Sequence, residues 1–523
     1  MKKLIVLFLF IPITAQAQIV GPVSSPENSI RQNGVSTIAT YGDTVWISPA
    51  LNRNIGNAAE WYSPENADSV VGGIGRVFSL ALGRDTVVAG LGFSRETEDG
   101  SVPAAYGYYT STDGGILWDY HSFLLDPQTE DDTTFLYGGE IYNRLRITVP
   151  EQSPPYDIDY AGNVILSVNW ASGLLRSSDF GESWERIVIP PYNVQNLTPD
   201  EDDYFWITCL SRSSDGGCSE TENKYNSIED DNLKGFSIHI DSQNRVWFGS
   251  AGGINVSHNA LTAPTDSISW KHVSFDNASD GLTGDWIISI QEEPETGRIW
   301  MTNWIASDQN ESHSIVYTED EGETFTQMLV GEKINDIGFK DGHVFAAGDN
   351  GLFISPDGGA TWIKSPQIKS PNTFIKPSAA FQSVATTTDR VWIGTDDGIA
   401  STDDYGKMWE ITRVNFPLEG GNLYDPEARN VESYAYPNPF SPSVYEVVRI
   451  KFEVQQQGNV KVRIFDFGMN LVREVENDSF TPGTYEAVWD GYDNHGRKVA
   501  NAPYIYVIES GDKKISGKIL VVD

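Results

Sequence analysis

Cysteine is almost missing from this chain, with two in 523 residues, beside five methionines and seven histidines. That supply excludes a disulfide-built scaffold. The histidines follow neither H-x-x-x-H nor H-E-x-x-H spacing, so zinc chemistry finds no ligand set, and no cofactor motif is present. Basic residues are scarce too: 36 Lys and Arg stand against 73 Asp and Glu, a formal net charge of −37. Such acidity repels nucleic acid and anionic membrane surfaces. After the first residues, no apolar run reaches the roughly 18 needed to span a bilayer as a helix. The acidic runs Asp200–Asp203 and Glu229–Asp231 read as solvated loops.

Glycine and aromatics are abundant, with 48 Gly, 15 Trp, 23 Tyr and 23 Phe. Aromatics favour strands and glycine supplies the positive φ of tight turns, so the composition predicts an all-β protein. The length predicts two or three domains. The opening MKKLIVLFLFIPITAQAQ has a basic start at Lys2 and Lys3, an apolar Leu4–Ile13, and Ala15-Gln16-Ala17 as a small-x-small site. This predicts a secretory signal peptide over residues 1–17. No Cys follows the expected cleavage after Ala17, which argues against a lipid anchor. In an oxidising compartment, Cys209 and Cys218 in CLSRSSDGGC are expected to form a disulfide stapling a Gly- and Ser-rich loop.

Self-similarity is the strongest signal. The pattern S/T-x-D-x-G-x-x-W/F occurs five times without gaps. The sets are Ser111, Asp113, Gly115, Trp118; Ser177, Asp179, Gly181, Trp184; Thr318, Asp320, Gly322, Phe325; Ser355, Asp357, Gly359, Trp362; and Thr402, Asp404, Gly406, Trp409. Hydroxyl and carboxylate can cap the amides of a hairpin tip, Gly can take the positive φ, and the aromatic can pack on a neighbouring sheet. Short apolar strands, often ending in a small residue, form a second repeat. They start at Val45, Val87, Val164, Val246, Ile299, Val344 and Val391. Their continuous apolar character predicts burial on both faces, as for inner blade strands. The shorter separations between starts match a four-stranded blade of about 40–50 residues. Seven units predict a seven-bladed β-propeller, eight if one long gap hides another blade.

The five turns resemble the Asp-box (BNR) repeats of sialidases, sortilin-type receptors, xyloglucanase-type glycoside hydrolases and photosystem assembly factors. RVWFGSAGGINVS and RVWIGTDDGIASTDD also resemble propeller repeats of hybrid two-component sensors. The resemblance covers roughly residues 36–415. It implies that Asp113, Asp179, Asp320, Asp357 and Asp404 lie at the blade periphery in a structural role. These families share hairpins and not activities, so no catalytic or metal residue is implied.

Residues 417–430, with Gly420-Gly421, read as a linker after the propeller at 18–416. Residues 431–523 then carry period-2 strands from Arg449, Lys461, Leu471, Tyr485, Tyr504 and Lys514, as in a β-sandwich. This tail resembles the Ig-like domain of flagellar hook-cap proteins and the C-terminal sorting domains of the type IX secretion system. The resemblance rests on Tyr436-Pro437-Asn438-Pro439-Phe440, Ile464-Phe465-Asp466, Trp489-Asp490-Gly491 and the terminal Gly517-Lys518-Ile519. Ala502-Pro503 departs from the family, which has Gly before the Tyr-x-Tyr strand. Asp490, Asp493 and Asn494 lack calcium-loop spacing and read as a turn.

The resemblance implies export through the periplasm to the outer surface, with the outer-membrane secretion machinery as partner of the tail. The expected function is a non-catalytic module binding a glycan or protein at one propeller mouth, fed by the insertions at residues 119–156 and 190–233. Two alternatives remain. One is a xyloglucanase-like glycoside hydrolase, for which no carboxylate pair can be nominated. The other is an accessory factor of the secretion machinery.

Overall fold

The structure, a computed structural model, describes residues 29–56, 60–64, 75–97, 100–126, 133–137, 140–144, 146–190, 230–276, 278–306, 310–414 and 431–523. The expected signal peptide, the linker at 417–430, Cys209, Cys218 and most of the insertion at 190–233 lie outside them. By compactness the chain divides into two units. One holds Gly34–Lys364 and Ala380–Gly394; the other holds Ser365–Ala379, Thr395–Asp523 and the residues just before Gly34.

Among the described residues, seven four-stranded sheets follow one another at 37–62, 75–121, 155–186, 235–273, 286–328, 334–364 and 381–412 (sheets 1 to 7). In each, strand order equals chain order, so each is an antiparallel meander. The first strands of successive sheets are neighbours, and Phe381–Thr386 lies beside Thr37–Tyr41, which closes the circuit. The architecture is a β-propeller. Between sheets 2 and 3 the described residues hold a two-stranded hairpin, Thr133–Tyr137 with Glu140–Arg144.

The apolar strands of the sequence are the second strand of each sheet and not the innermost one, as in Val246–Ser250 and Ile299–Trp304. They are buried because sheets cover both of their faces. The innermost strands are more polar for a reason of their own. Each is a sheet edge whose outward N–H and C=O groups have no strand to pair with. Side chains of the neighbouring sheet meet these groups. Thr37 donates to the Phe78 carbonyl at 3.0 Å, Ser79 to Pro155 at 3.0 Å, and Ser237 to Ile287 at 2.7 Å. Asp157 accepts from the Ile238 amide at 2.9 Å, Asp159 from Ile240 at 2.7 Å, and Asp336 from Val384 at 2.9 Å. Ser289 donates to Asp336 at 2.8 Å.

This arrangement explains the small residues that end the apolar strands. A Cβ on Gly90 would stand 2.3 Å from the Ser79 hydroxyl, and one on Gly249 2.3 Å from that of Ser237 and 2.8 Å from Ile287. Any side chain there would push the linking hydroxyl away from its partner.

In the second unit, Ser433–Tyr436, Val448–Val454 and Gly483–Trp489 form one sheet. Leu471–Phe480, Gly458–Phe465, Ala502–Ser510 and Lys513–Val521 form another, with Gly458–Phe465 and Ala502–Ser510 central. Both sheets turn their alternate apolar residues to a shared core that includes Phe452, Ile464, Trp489, Tyr506 and Ile519. The unit also holds a buried ionic group. Arg449 contacts Asp397 at 2.6 Å and the Phe374 carbonyl at 3.1 Å, while Arg413 contacts Asp397 at 3.1 Å and Thr373 at 2.7 Å. Glu486 lies 3.5 Å from Arg413 and accepts from the Tyr436 hydroxyl.

Candidate functional site

Each repeated turn joins the third and fourth strands of its sheet. In sheet 2, the Ser111 hydroxyl donates to Asp113 Oδ1 at 2.9 Å and accepts from the Gly115 amide at 2.9 Å. Asp113 Oδ1 also accepts from the Ile116 and Leu117 amides, at 3.0 and 2.9 Å. The other four turns repeat the geometry, with hydroxyl to carboxylate at 2.8 Å in each. These donors govern the carboxylates. Asp320 is held at about 2, first by the Thr324 amide and then by the Thr324 hydroxyl. Gly115, Gly181, Gly322, Gly359 and Gly406 all have positive φ.

The turns also reach the preceding sheet. Trp118 of sheet 2 meets Trp46 of sheet 1 edge-on at 5.6 Å. A Cβ on Gly115 would lie 2.3 Å from the Trp46 ring, and one on Gly359 2.7 Å from Trp300 of sheet 5. Sheet 1 lacks the motif, yet Trp61 meets Trp392 in the same edge-on manner at 5.7 Å.

Strand parity decides which end of the propeller each loop occupies. In a four-stranded meander, the first and third turns open at one end. The second turn and the connector to the next sheet open at the other. Direct bonds agree: the Gly114 amide donates to Asp85 at 2.8 Å, and Phe180 to Asn163 at 3.0 Å, each linking third turn to first. Both long insertions are connectors between sheets. The described residues at which they leave and rejoin the sheets therefore lie at the end opposite the repeated turns.

That opposite end carries a group of half-buried aromatics. Tyr156 closes the first insertion, Phe236 follows the second, Trp170 sits in the second turn of sheet 3, and Trp286 opens the innermost strand of sheet 5. Phe236 is central, with ring centroids 6.2 Å from Tyr156, 5.7 Å from Trp170 and 5.2 Å from Trp286. Lys234 stands 5.9 Å from the Trp170 ring. Three carboxylates of the connectors and of a second turn are engaged by backbone amides. Asp285 accepts from Phe275 at 2.7 Å, Asp230 from Asn232 at 2.9 Å, and Glu311 from Ala306 at 2.5 Å. The aromatic group has a trace in the sequence: Phe78, Tyr156 and Phe236 each precede the Ser or Asp that reaches the next sheet.

In the tail, Asn438 and Lys518 meet although 80 residues apart. Asn438 donates to the Lys518 carbonyl at 2.9 Å and accepts from the Leu520 amide at 2.9 Å, with Pro437 and Pro439 on either side. Trp489 is buried and donates to the Tyr492 carbonyl at 2.9 Å. Asp490 accepts from the Tyr492 amide at 3.0 Å, and a Cβ on Gly491 would stand 2.6 Å from Pro442. Asp493 accepts from the His495 and Arg497 amides at 2.8 and 2.9 Å. Among the described residues, no three His, Cys, Asp or Glu side chains are grouped as metal ligands would be.

No family model and no curated protein matches the chain. Among solved structures it is similar to PorZ, described as an essential surface component of the type-IX secretion system of Porphyromonas gingivalis. That match has 13% identity over 94% of this chain and 81% of the other, with a TM-score of 0.32. It is similar to the GH74 xyloglucanase of Xanthomonas campestris, at 11% identity over 94% and 74% of the chains and a TM-score of 0.47. YCF48 from Cyanidioschyzon merolae is 16% identical over 72% and 97%, with a TM-score of 0.41. At these scores the propeller rests on the sheets described above.

Proposed function

We propose that the chain is an exported, non-catalytic glycan-binding protein: a seven-bladed β-propeller at 18–416 and an Ig-like sandwich at 431–523 that serves as a type IX sorting domain. The observation that carries the binding function is the group Tyr156, Trp170, Phe236 and Trp286 at the end where both long insertions leave and rejoin the sheets. Aromatic rings with one accessible face offer a flat apolar surface to the C–H face of a sugar, and clefts so lined are where ligands collect.

In this reading the five turns are Asp-boxes, and their aspartates hold turns and touch no ligand. The Asn438–Lys518 pair supports the sorting reading, because it brings two parts of the motif 80 residues apart into direct contact. Affinity electrophoresis of the full chain through a panel of soluble polysaccharides tests the binding reading. Retardation by one glycan is expected, weakened about tenfold by Trp170→Ala with Trp286→Ala. Unchanged retardation in that double variant overturns the site, and release of reducing ends overturns the non-catalytic assignment.

A further inference from the structure

The second unit has a groove of about 860 Å³ that the propeller reading does not use. Its floor is the corner between two consecutive strands, Leu471–Phe480 and Gly483–Trp489, which belong to different sheets. Each is the outer strand of its sheet, and among the described residues no strand pairs with either outer edge. Pro371 and Phe374 also line it.

One residue already shows how this edge accepts a partner. The Asn494 amide donates to the Val472 carbonyl at 2.9 Å, and Asn494 Oδ1 accepts from the Glu474 amide at 3.3 Å. Asn494 thus imitates one residue of an added strand, and the imitation stops there. Beyond it the edge runs on to Phe480. An open edge of this kind is a template for strand addition.

The charge along the open stretch selects the partner. Glu474, Glu476 and Asp478 line the groove and make no ion pair among the described residues. Glu474 accepts only from Asn477 at 3.0 Å, and Asp478 from its neighbour Ser479 at 2.7 Å. Burial, and then the Asp478 charge, raise the Glu476 carboxyl above its usual range. The cations on the groove are Lys369 and Arg473, and Arg473 is already turned to the Asp493 carbonyl at 2.9 Å.

We propose that this groove receives an extended, lysine- or arginine-bearing segment of another protein, which adds as a strand along Leu471–Phe480 beyond Asn494. The main-chain ladder supplies affinity and the three carboxylates supply selectivity. Because the whole chain is acidic, attraction for a basic peptide alone proves nothing, and the test separates ladder from charge.

Fluorescence anisotropy with the full chain uses three labelled peptides: Lys-Thr-Lys-Val-Lys-Thr-Lys, the equally charged Lys-Pro-Lys-Pro-Lys-Pro-Lys, and Glu-Thr-Glu-Val-Glu-Thr-Glu. The first is expected to bind, the second about tenfold or more weaker because proline cannot donate to a ladder, and the third not at all. Glu476→Lys with Asp478→Lys should weaken the first peptide by about tenfold at unchanged Tm. Amide exchange over residues 475–480 should slow when that peptide is bound. Equal binding of the proline peptide, an unaltered affinity in the double variant, or unslowed exchange overturns the proposal.

Discussion

Gly115 shows how much one residue of the repeated turn carries. Its φ is +86°, and an added Cβ would lie 2.3 Å from the Trp46 ring of the preceding sheet. Gly162 has a φ of +60° in the first turn of sheet 3, with nothing within 4 Å of where a Cβ would be. The pair separates backbone strain from packing. Gly162→Ala is expected to cost about 1 kcal/mol, the left-handed penalty alone. Gly115→Ala adds overpacking and should cost about 3 kcal/mol. Urea denaturation of both variants checks this, and equal losses would remove the packing role. The motif's chemistry was legible residue by residue, because hydroxyl, carboxylate and glycine act within five positions of one another. That the glycine also admits a tryptophan from another sheet was not legible. Trp46 is 69 positions away, and no spacing connects them.

At the level of elements, the strands nearest the axis are joined through half-buried carboxylates, and this predicts a pH dependence. Asp157 is raised to about 7, first by burial, with the charges of Asp159 and Asp336 adding and the Ile238 and Ile158 amides opposing. Asp336 is raised to about 6, again by burial. His239 lies near the same group, 3.8 Å from Asp159. In the unfolded chain an aspartate titrates near about 4, so the folded state binds these protons more tightly. Their stabilisation is complete below about pH 4 and is lost as the pH rises through about 6 to 7. Tm is therefore expected to fall between about pH 5 and pH 7.5, and Asp157→Asn to flatten the fall. Asparagine keeps an oxygen for the Ile238 amide, so the comparison isolates the charge. An identical slope in wild type and variant would refute the assignment. The apolar second strands were readable as continuous hydrophobic runs, and they are buried on both faces as expected; that a more polar strand lies still nearer the axis was not readable. Hydrophobicity reports burial, and a sheet edge at the axis is buried yet still has polar backbone to satisfy.

For the molecule as a whole, the seam between the last sheet and the first stands apart. The joins from sheet 1 to sheet 2, and on round to sheet 7, each have a side chain bonded across. Ser383 occupies the corresponding place in sheet 7, and its buried hydroxyl has no partner. The edge-on contact of Trp61 with Trp392, both almost fully buried, packs across this seam. Trp392→Ala should cost about 4 kcal/mol and speed amide exchange in residues 37–41 and 381–386 ahead of other innermost strands. Uniform acceleration around the circuit would show that the seam is not special. The tail has its own test. Deleting residues 431–523 is expected to abolish surface localisation, measured by protease accessibility on intact cells, and undiminished export would refute the sorting role.

The sequence by itself determined the all-β class, the repeat, the turn chemistry and six tail strands, because each is written in neighbouring residues through hairpin geometry and the two-residue period of a strand. Only the tertiary structure decided which strand lies at the axis, which side chains satisfy its open edge, and which end holds Tyr156, Trp170, Phe236 and Trp286. It alone also brought Asn438 to Lys518 and left the outer edge of Leu471–Phe480 without a paired strand among the described residues. Those facts depend on which sheets are adjacent and on strand parity, and both arise only when the chain has closed on itself. The scarcity of cysteine fits that division: with almost no covalent cross-links, adjacency rests on packing and on hydrogen bonds between distant residues.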